Sequence, residues 1–219
     1  LPDAQALVRA AHDSGADAIS AMAPTFFKPA DAGELCDWFF ELTRSAPDMP
    51  FYFYDIPPMS GVTVDTRAFL DLAGERLPGF TGVKYSNPDD ELLQACVSHN
   101  GGSANILYGF DERYLHGLAT GCPGAVGSTF NFAAPLYRRI QAAFERGEME
   151  AADADQARSA EIIRKFKECD YVPTAKAVMA LVGVDCGPVR PPLVRLSQAQ
   201  IDTLRRDLEA MGFFDWAVA

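Results

Sequence analysis

Residues 50–89 read PFYFYDIPPMSGVTVDTRAFLDLAGERLPGFTGVKYSNPD. The stretch opens on an aromatic, strand-like run, Pro50–Tyr54. A helical pattern follows near Asp65–Arg76, and a second apolar run spans Phe80–Tyr85. Strand, helix and strand within 40 residues define a βαβ unit, which requires parallel strands. The lysine at 84 is the odd residue. An ammonium group is costly to desolvate, so a strand is a poor place to bury it. Either Lys84 snorkels to the surface from the strand end, or it is an amine held in a shielded pocket for use as a nucleophile.

The same alternation extends both ways along the chain. Upstream, Ala16–Ala23 reads as a strand and Ala32–Ser45 as a helix. Downstream lie a helix at Asp89–Ser98, a strand at Ala104–Tyr108, a helix at Asp111–Thr120 and a strand at Gly124–Ser128. Strands buried on both faces are apolar throughout, as these segments are. After Asn131 the texture becomes helical: Pro135–Arg146, Met149–Lys167, Thr174–Val182 and Gln198–Met211, with Pro173 and Ser197 at helix starts. Five βα units do not close a barrel, whose eight-stranded form needs about 250 residues. The fold class is α/β: either an open doubly wound sheet, or the last five-eighths of a (β/α)8 TIM barrel lacking its first three βα units. Residues 1–132 would hold βα units, and residues 133–219 the last barrel helix and a C-terminal helical extension.

Composition narrows the function. At 219 residues, 48% hydrophobic and 22% charged, the chain can build one substantial core or at most two small domains. Its formal net charge of −11 argues against nucleic acid or an anionic membrane as partner. No apolar run approaches the roughly 20 residues that cross a bilayer. The N-terminal LPDAQALVRAAHDSGADA is an acidic amphipathic helix, not a signal peptide. Five scattered cysteines without a C-x-x-C pair suit reduced thiols in a cytoplasmic protein. His12, His99 and His116 have no metal-ligand spacing, so no metal is expected.

The polar residues gather at strand ends. Tyr54 and Asp55 end the second strand, and Lys84 with Ser86 the third. Gly109, Asp111 and Glu112 follow the fourth, and Gly127, Ser128 and Thr129 end the fifth. Parallel strands open their C-terminal ends on one side, where substrates bind. Each residue also has a plainer reading. Tyr54 could cap the core, Asp111 could N-cap the next helix with Glu112 in its first turn, and Gly127-Ser128-Thr129 could be a helix entry. Together they fit amine catalysis on a ketone. Lys84, its pKa lowered by burial, would form a Schiff base, Tyr54 would move the proton, and the carboxylates and hydroxyls would accept a polyhydroxylated substrate.

FYFYDIPPMSGV (51–62), GVKYSNPD (82–89), YGFDERYLHGLATGCPGAVGSTFN (108–131) and TAKAVMALVG (174–183) resemble the N-acetylneuraminate lyase/dihydrodipicolinate synthase family of pyruvate-dependent class I aldolases. The resemblance runs to about residue 211. It implies a TIM barrel with a C-terminal helical extension, a catalytic Lys84 carrying pyruvate as an imine, no separate cofactor, and a catalytic Tyr54. Ser86, Gly109, Asp111, Glu112 and Ser128 would bind the substrate. The Asp-Glu pair favours the branch that cleaves sialic acid to N-acetylmannosamine and pyruvate. Other outcomes are a dihydrodipicolinate synthase-like or sugar-acid aldolase, or a non-catalytic truncated relative. The resemblance also implies a homotetramer. Asp55 stands where the family has Asn or His, and could alter the pocket charge or preferred substrate. Phe130 replaces a common Tyr.

Overall fold

The computed structural model describes residues 1–217. They form two compact units: residues 1–109 with 120–125, and residues 110–119 with the chain from 126 onward.

The first unit is a parallel sheet of five strands, β1 (Ile19–Met22), β2 (Phe51–Asp55), β3 (Phe80–Tyr85), β4 (Asn105–Tyr108) and β5 (Gly124–Ala125), hydrogen-bonded in chain order. Its helices are α1 (Pro2–Asp13), α2 (Ala32–Thr43), α3 (Pro57–Ser60), α4 (Thr66–Arg76) and α5 (Asp90–Val97). Three of them start by the same device. Asp31, Asp65 and Asp89 each accept a bond from the backbone N–H three residues on, at Glu34, Ala68 and Leu92. An aspartate at this position satisfies a donor that the helix itself cannot, and it complements the helix dipole.

Strand order removes one of the two architectures left open by sequence, the open doubly wound sheet. A doubly wound sheet reverses its strand order at a switch point; here no reversal occurs. Right-handed crossovers that always step the same way keep their helices on one face. The packing agrees. Phe51 and Phe53 of β2 are 0% and 2% exposed, and their rings lie 4.9 and 5.4 Å from Phe39 of α2. Phe69 of α4 sits 4.9 Å from Phe53 on the same side. Val83, Tyr85, Ile106 and Tyr108 continue this buried face.

The opposite face differs from the sequence expectation of strands buried on both sides. Burial along β2 alternates, with Tyr52 and Tyr54 only half-buried, and β4 alternates likewise at Asn105 and Leu107. Backbone register aligns one row across all five strands on this face: Met22, Tyr54, Lys84, Leu107 and Gly124.

The second unit contains a 3-10 turn at Asp111–Arg113, most of α6 (Tyr114–Thr120), then α7 (Phe130–Glu145), α8 (Met149–Glu168), α9 (Tyr171–Leu181), α10 (Gln198–Ala210) and α11 (Phe213–Trp216). Phe132, Phe166 and Phe213 meet in its core, with ring centroids 5.7 and 6.1 Å apart around Phe132. Several boundaries move relative to the sequence reading. β5 stops at Ala125 rather than Ser128. The single helix expected at 111–120 is a 3-10 turn followed by α6. α7 begins at Phe130, ahead of Pro135, with non-helical dihedrals at Ala133. α9 begins at Tyr171 and carries Pro173 in its first turn, where the missing N–H has no intrahelical partner to lose. No described helix is long and apolar enough to cross a membrane.

Candidate active site

In the first unit, register alone makes Tyr54 and Lys84 neighbours. A parallel pair places aligned side chains on the same face of the sheet. Lys84 Nζ stands 3.9 Å from the centroid of the Tyr54 ring. The electron-rich face of a tyrosine attracts a cation, so the ring steers the lysine head at a defined point of the half-buried face.

Ser86 follows two residues after Lys84 and is 5% exposed. Its backbone N–H donates to the Asp55 carbonyl at 2.8 Å, and its hydroxyl approaches the Gly109 carbonyl at 3.4 Å. Gly109 must be glycine for steric reasons: a Cβ there would collide with Ser86 Oγ. Its N–H donates to the Tyr85 carbonyl at 2.8 Å, closing the turn beyond β4 onto the turn beyond β3.

Asp55 does not enter this face. It lies in the row of Tyr85 and Tyr108, on the helix-covered side, and is 2% exposed. The expectation that it changes the pocket charge is therefore corrected by strand alternation: the residue after Tyr54 must point the other way. Its Oδ2 accepts from Thr66 Oγ1 at 2.7 Å and from Asn87 Nδ2 at 3.1 Å. Burial pushes the Asp55 carboxyl above the ordinary carboxylate range, and those two donors oppose the shift.

In the second unit, Asp111, Glu112 and Ser128 have different surroundings. Asp111 is 6% exposed, and its Oδ2 accepts from the Thr129 backbone N–H at 2.8 Å and from Thr129 Oγ1 at 2.5 Å. A Cβ at Gly127 would collide with Asp111 Oδ1, so the residue before Ser128 must lack one for the loop to close on the carboxylate. The Thr129 hydroxyl continues to Tyr137 at 2.5 Å, and Tyr137 to Ser159 at 2.7 Å. Ser159 and Gln156 both donate to the Asp111 carbonyl, each at 3.1 Å. Burial raises the Tyr137 hydroxyl well above its ordinary value, with the Asp111 charge acting in the same direction. Asp111 thus anchors the 127–129 loop. Phe110, not Asp111, holds the cap position of the 3-10 turn at Asp111–Arg113.

Glu112 points elsewhere, forming an ion pair with Lys167 of α8 at 2.9 Å. Ser128 is exposed, and its Oγ lies 2.7 Å from the hydroxyl of Tyr171 at the start of α9. Burial pushes that tyrosine up to about 12, against the Ser128 hydrogen bond, so it keeps its proton at neutral pH. Sequence singles out Thr129 with Ser128 but gives no signal for Thr66, Asn87, Lys167 or Tyr171. Each reaches its partner across more than ten residues of chain. Among the described residues no group of three or more His, Cys, Asp or Glu is placed to hold a metal.

Residues 1–211 match the model of the Dihydrodipicolinate synthetase family, and the chain belongs to that family. Within it, the chain is 36% identical over 218 residues to N-acetylneuraminate lyase of Gallus gallus, spanning 98% of this chain and 71% of the relative. It is 33% identical over 219 residues to the lyase of Rattus norvegicus, spanning 99% and 68%. Among solved structures, Proteus mirabilis N-acetylneuraminate lyase superposes with a TM-score of 0.91 at 35% identity, over 95% of this chain and 70% of that one. The N-acetylneuraminate lyase (sialic acid aldolase) of Aliivibrio salmonicida gives 0.91 at 33%, over 95% and 69%.

Proposed function

We propose that this protein is a class I aldolase that cleaves N-acetylneuraminate reversibly to N-acetylmannosamine and pyruvate. The observation that carries the reading is the Lys84–Tyr54 pair, a primary amine beside a phenol on the half-buried sheet face. The relatives named above supply the substrate.

The chemistry follows from the two groups. The Lys84 amine adds to the keto carbon of the open-chain sugar acid, and the carbinolamine so formed takes a proton from solvent on its hydroxyl and loses water, giving a protonated imine. That imine accepts the electron pair of the carbon–carbon bond two atoms away as the bond breaks. The neighbouring sugar hydroxyl gives up its proton and becomes the aldehyde of N-acetylmannosamine. Tyr54, through its hydroxyl, takes and returns that proton. The remaining enamine is protonated at carbon, and water releases pyruvate from Lys84. The electron sink is built from the lysine itself, so the steps call for no separate cofactor.

By the family resemblance, Gly109, Glu112 and Ser128 are assigned to the glycerol tail of the substrate, and Ser86 to a further substrate contact. Asp111 acts there chiefly by shaping the Ser128 loop. Sequential strand order and the likeness to the solved lyases support reading β1–β5 as neighbouring strands of a (β/α)8 barrel, with residues 133–219 as a closing helix and extension. The assembly expected from the family resemblance is a tetramer, which sedimentation of the protein reads directly. The enzymatic reading is tested by incubating the protein with N-acetylneuraminate and measuring pyruvate. Release that disappears in Lys84→Ala supports it, and release unchanged in that variant contradicts it.

A further inference from the structure

Asp55 belongs to neither set of residues expected to touch substrate, yet it is a buried polar junction. Its side chain is tied to Thr66, the first residue of α4 and 0% exposed, and to Asn87, 7% exposed. Its carbonyl accepts from Ser86 N–H. Asn87 Oδ1 in turn accepts from the Asp89 N–H at 3.2 Å. The Asp89 carbonyl receives the Tyr85 hydroxyl at 2.6 Å, and its carboxylate caps α5. The whole turn from Lys84 to α5 is therefore bonded back to the residue that follows Tyr54.

We propose that Asp55 is a positioning residue for the reaction: its carboxylate clamps the end of β2 to the turn after β3 and so fixes the Tyr54 hydroxyl relative to the Lys84 amine. Buried hydrogen bonds to a carboxylate are stronger than neutral ones and tolerate little displacement. Tyr54 lies one residue before the clamp and Lys84 three residues before Asn87, so slack in the clamp passes directly to the reacting pair. A misplacement of about 1 Å between catalytic groups costs up to about 100-fold in rate. Asparagine at 55 would keep an oxygen able to accept both donors; alanine would not.

This proposal rests on the imine reading above, and the experiment separates the two. Steady-state cleavage is measured for Asp55→Ala, Asp55→Asn and Asn87→Ala beside the unaltered protein, together with thermal midpoints and borohydride trapping of pyruvate. The expected result is a fall in kcat of about 10- to 100-fold in Asp55→Ala, with KM within about threefold. Asp55→Asn recovers most of kcat, because the acceptor geometry survives. Asn87→Ala lowers kcat with an unchanged KM, and in combination with Asp55→Ala adds little. If Asp55→Ala does not fold, Asn87→Ala and Asp55→Asn decide alone. Wild-type kcat in Asn87→Ala, or an Asp55→Asn as slow as a folded Asp55→Ala, overturns the positioning role while trapping at Lys84 stays intact. Failure of the unaltered protein to trap pyruvate removes the imine reading first, and this one with it.

Discussion

Lys84 Nζ lies 3.9 Å above the ring of Tyr54, its aligned neighbour on the adjacent strand. In the proposed reaction, ring and hydroxyl therefore have separable tasks. Tyr54→Phe keeps the aromatic face that steers the lysine and removes only the proton carrier. We expect kcat to fall by about 10²- to 10⁴-fold, the range of general acid–base catalysis, while pyruvate still condenses with Lys84. Tyr54→Ala loses both functions, so trapping slows as well. Single-turnover trapping rates for the two variants check the distinction.

The Asp111 and Glu112 side chains, adjacent in sequence, have separate partners, and the proposed function gives only Glu112 a substrate task. Asp111→Ala leaves the buried Thr129 N–H without its acceptor, which costs about 1–3 kcal/mol from that group alone. A lower thermal midpoint is the expected readout. Glu112→Gln weakens an ion pair with the exposed Lys167. Its expected signature is a raised KM for N-acetylneuraminate with an unchanged thermal midpoint and unchanged pyruvate trapping. Calorimetry and steady-state kinetics on both variants test the division.

Asp55 makes stability depend on pH with a sign opposite to that of a salt-bridged aspartate. Its folded carboxyl sits above the ordinary value of 3.8 because burial disfavours the charge. The folded state therefore holds the proton longer than the unfolded chain, and stability is lost as pH rises through that window. Tyr85 and Cys96, whose charges couple to Asp55, are both raised by burial and stay neutral there. Asp55→Asn removes the titration. Its thermal midpoint should gain on the wild type as pH rises from about 4 and then level off. A midpoint difference constant from acid to neutral pH would contradict this.

Much of the fold was legible because parallel strands and their helices leave separate patterns. Phe80–Tyr85 has the bounds read from sequence, and α2, α4 and α5 differ by a residue or two at their ends. The strand order was not legible, since βα alternation serves both the sequential and the reversing sheet until pairing is seen. The Tyr54–Lys84 pair was placed on a common rim by strand ends alone, and register then set the two side by side. Asp55 was misjudged for a reason intrinsic to strands: adjacency to Tyr54 in sequence means the opposite face in space. Asp111 and Thr129 are 18 residues apart, and Glu112 and Lys167 are 55 apart. Pairings of that kind depend on how the turns close, which no local pattern records.

The central claim concerns one nitrogen. Pyruvate and borohydride added to the protein, followed by peptide mapping, read it most directly. The imine account predicts a reduced three-carbon adduct on Lys84 and none in Lys84→Ala, whose circular dichroism matches the unaltered protein. An active preparation with Lys84 unmodified, or with the adduct on another lysine, would contradict it.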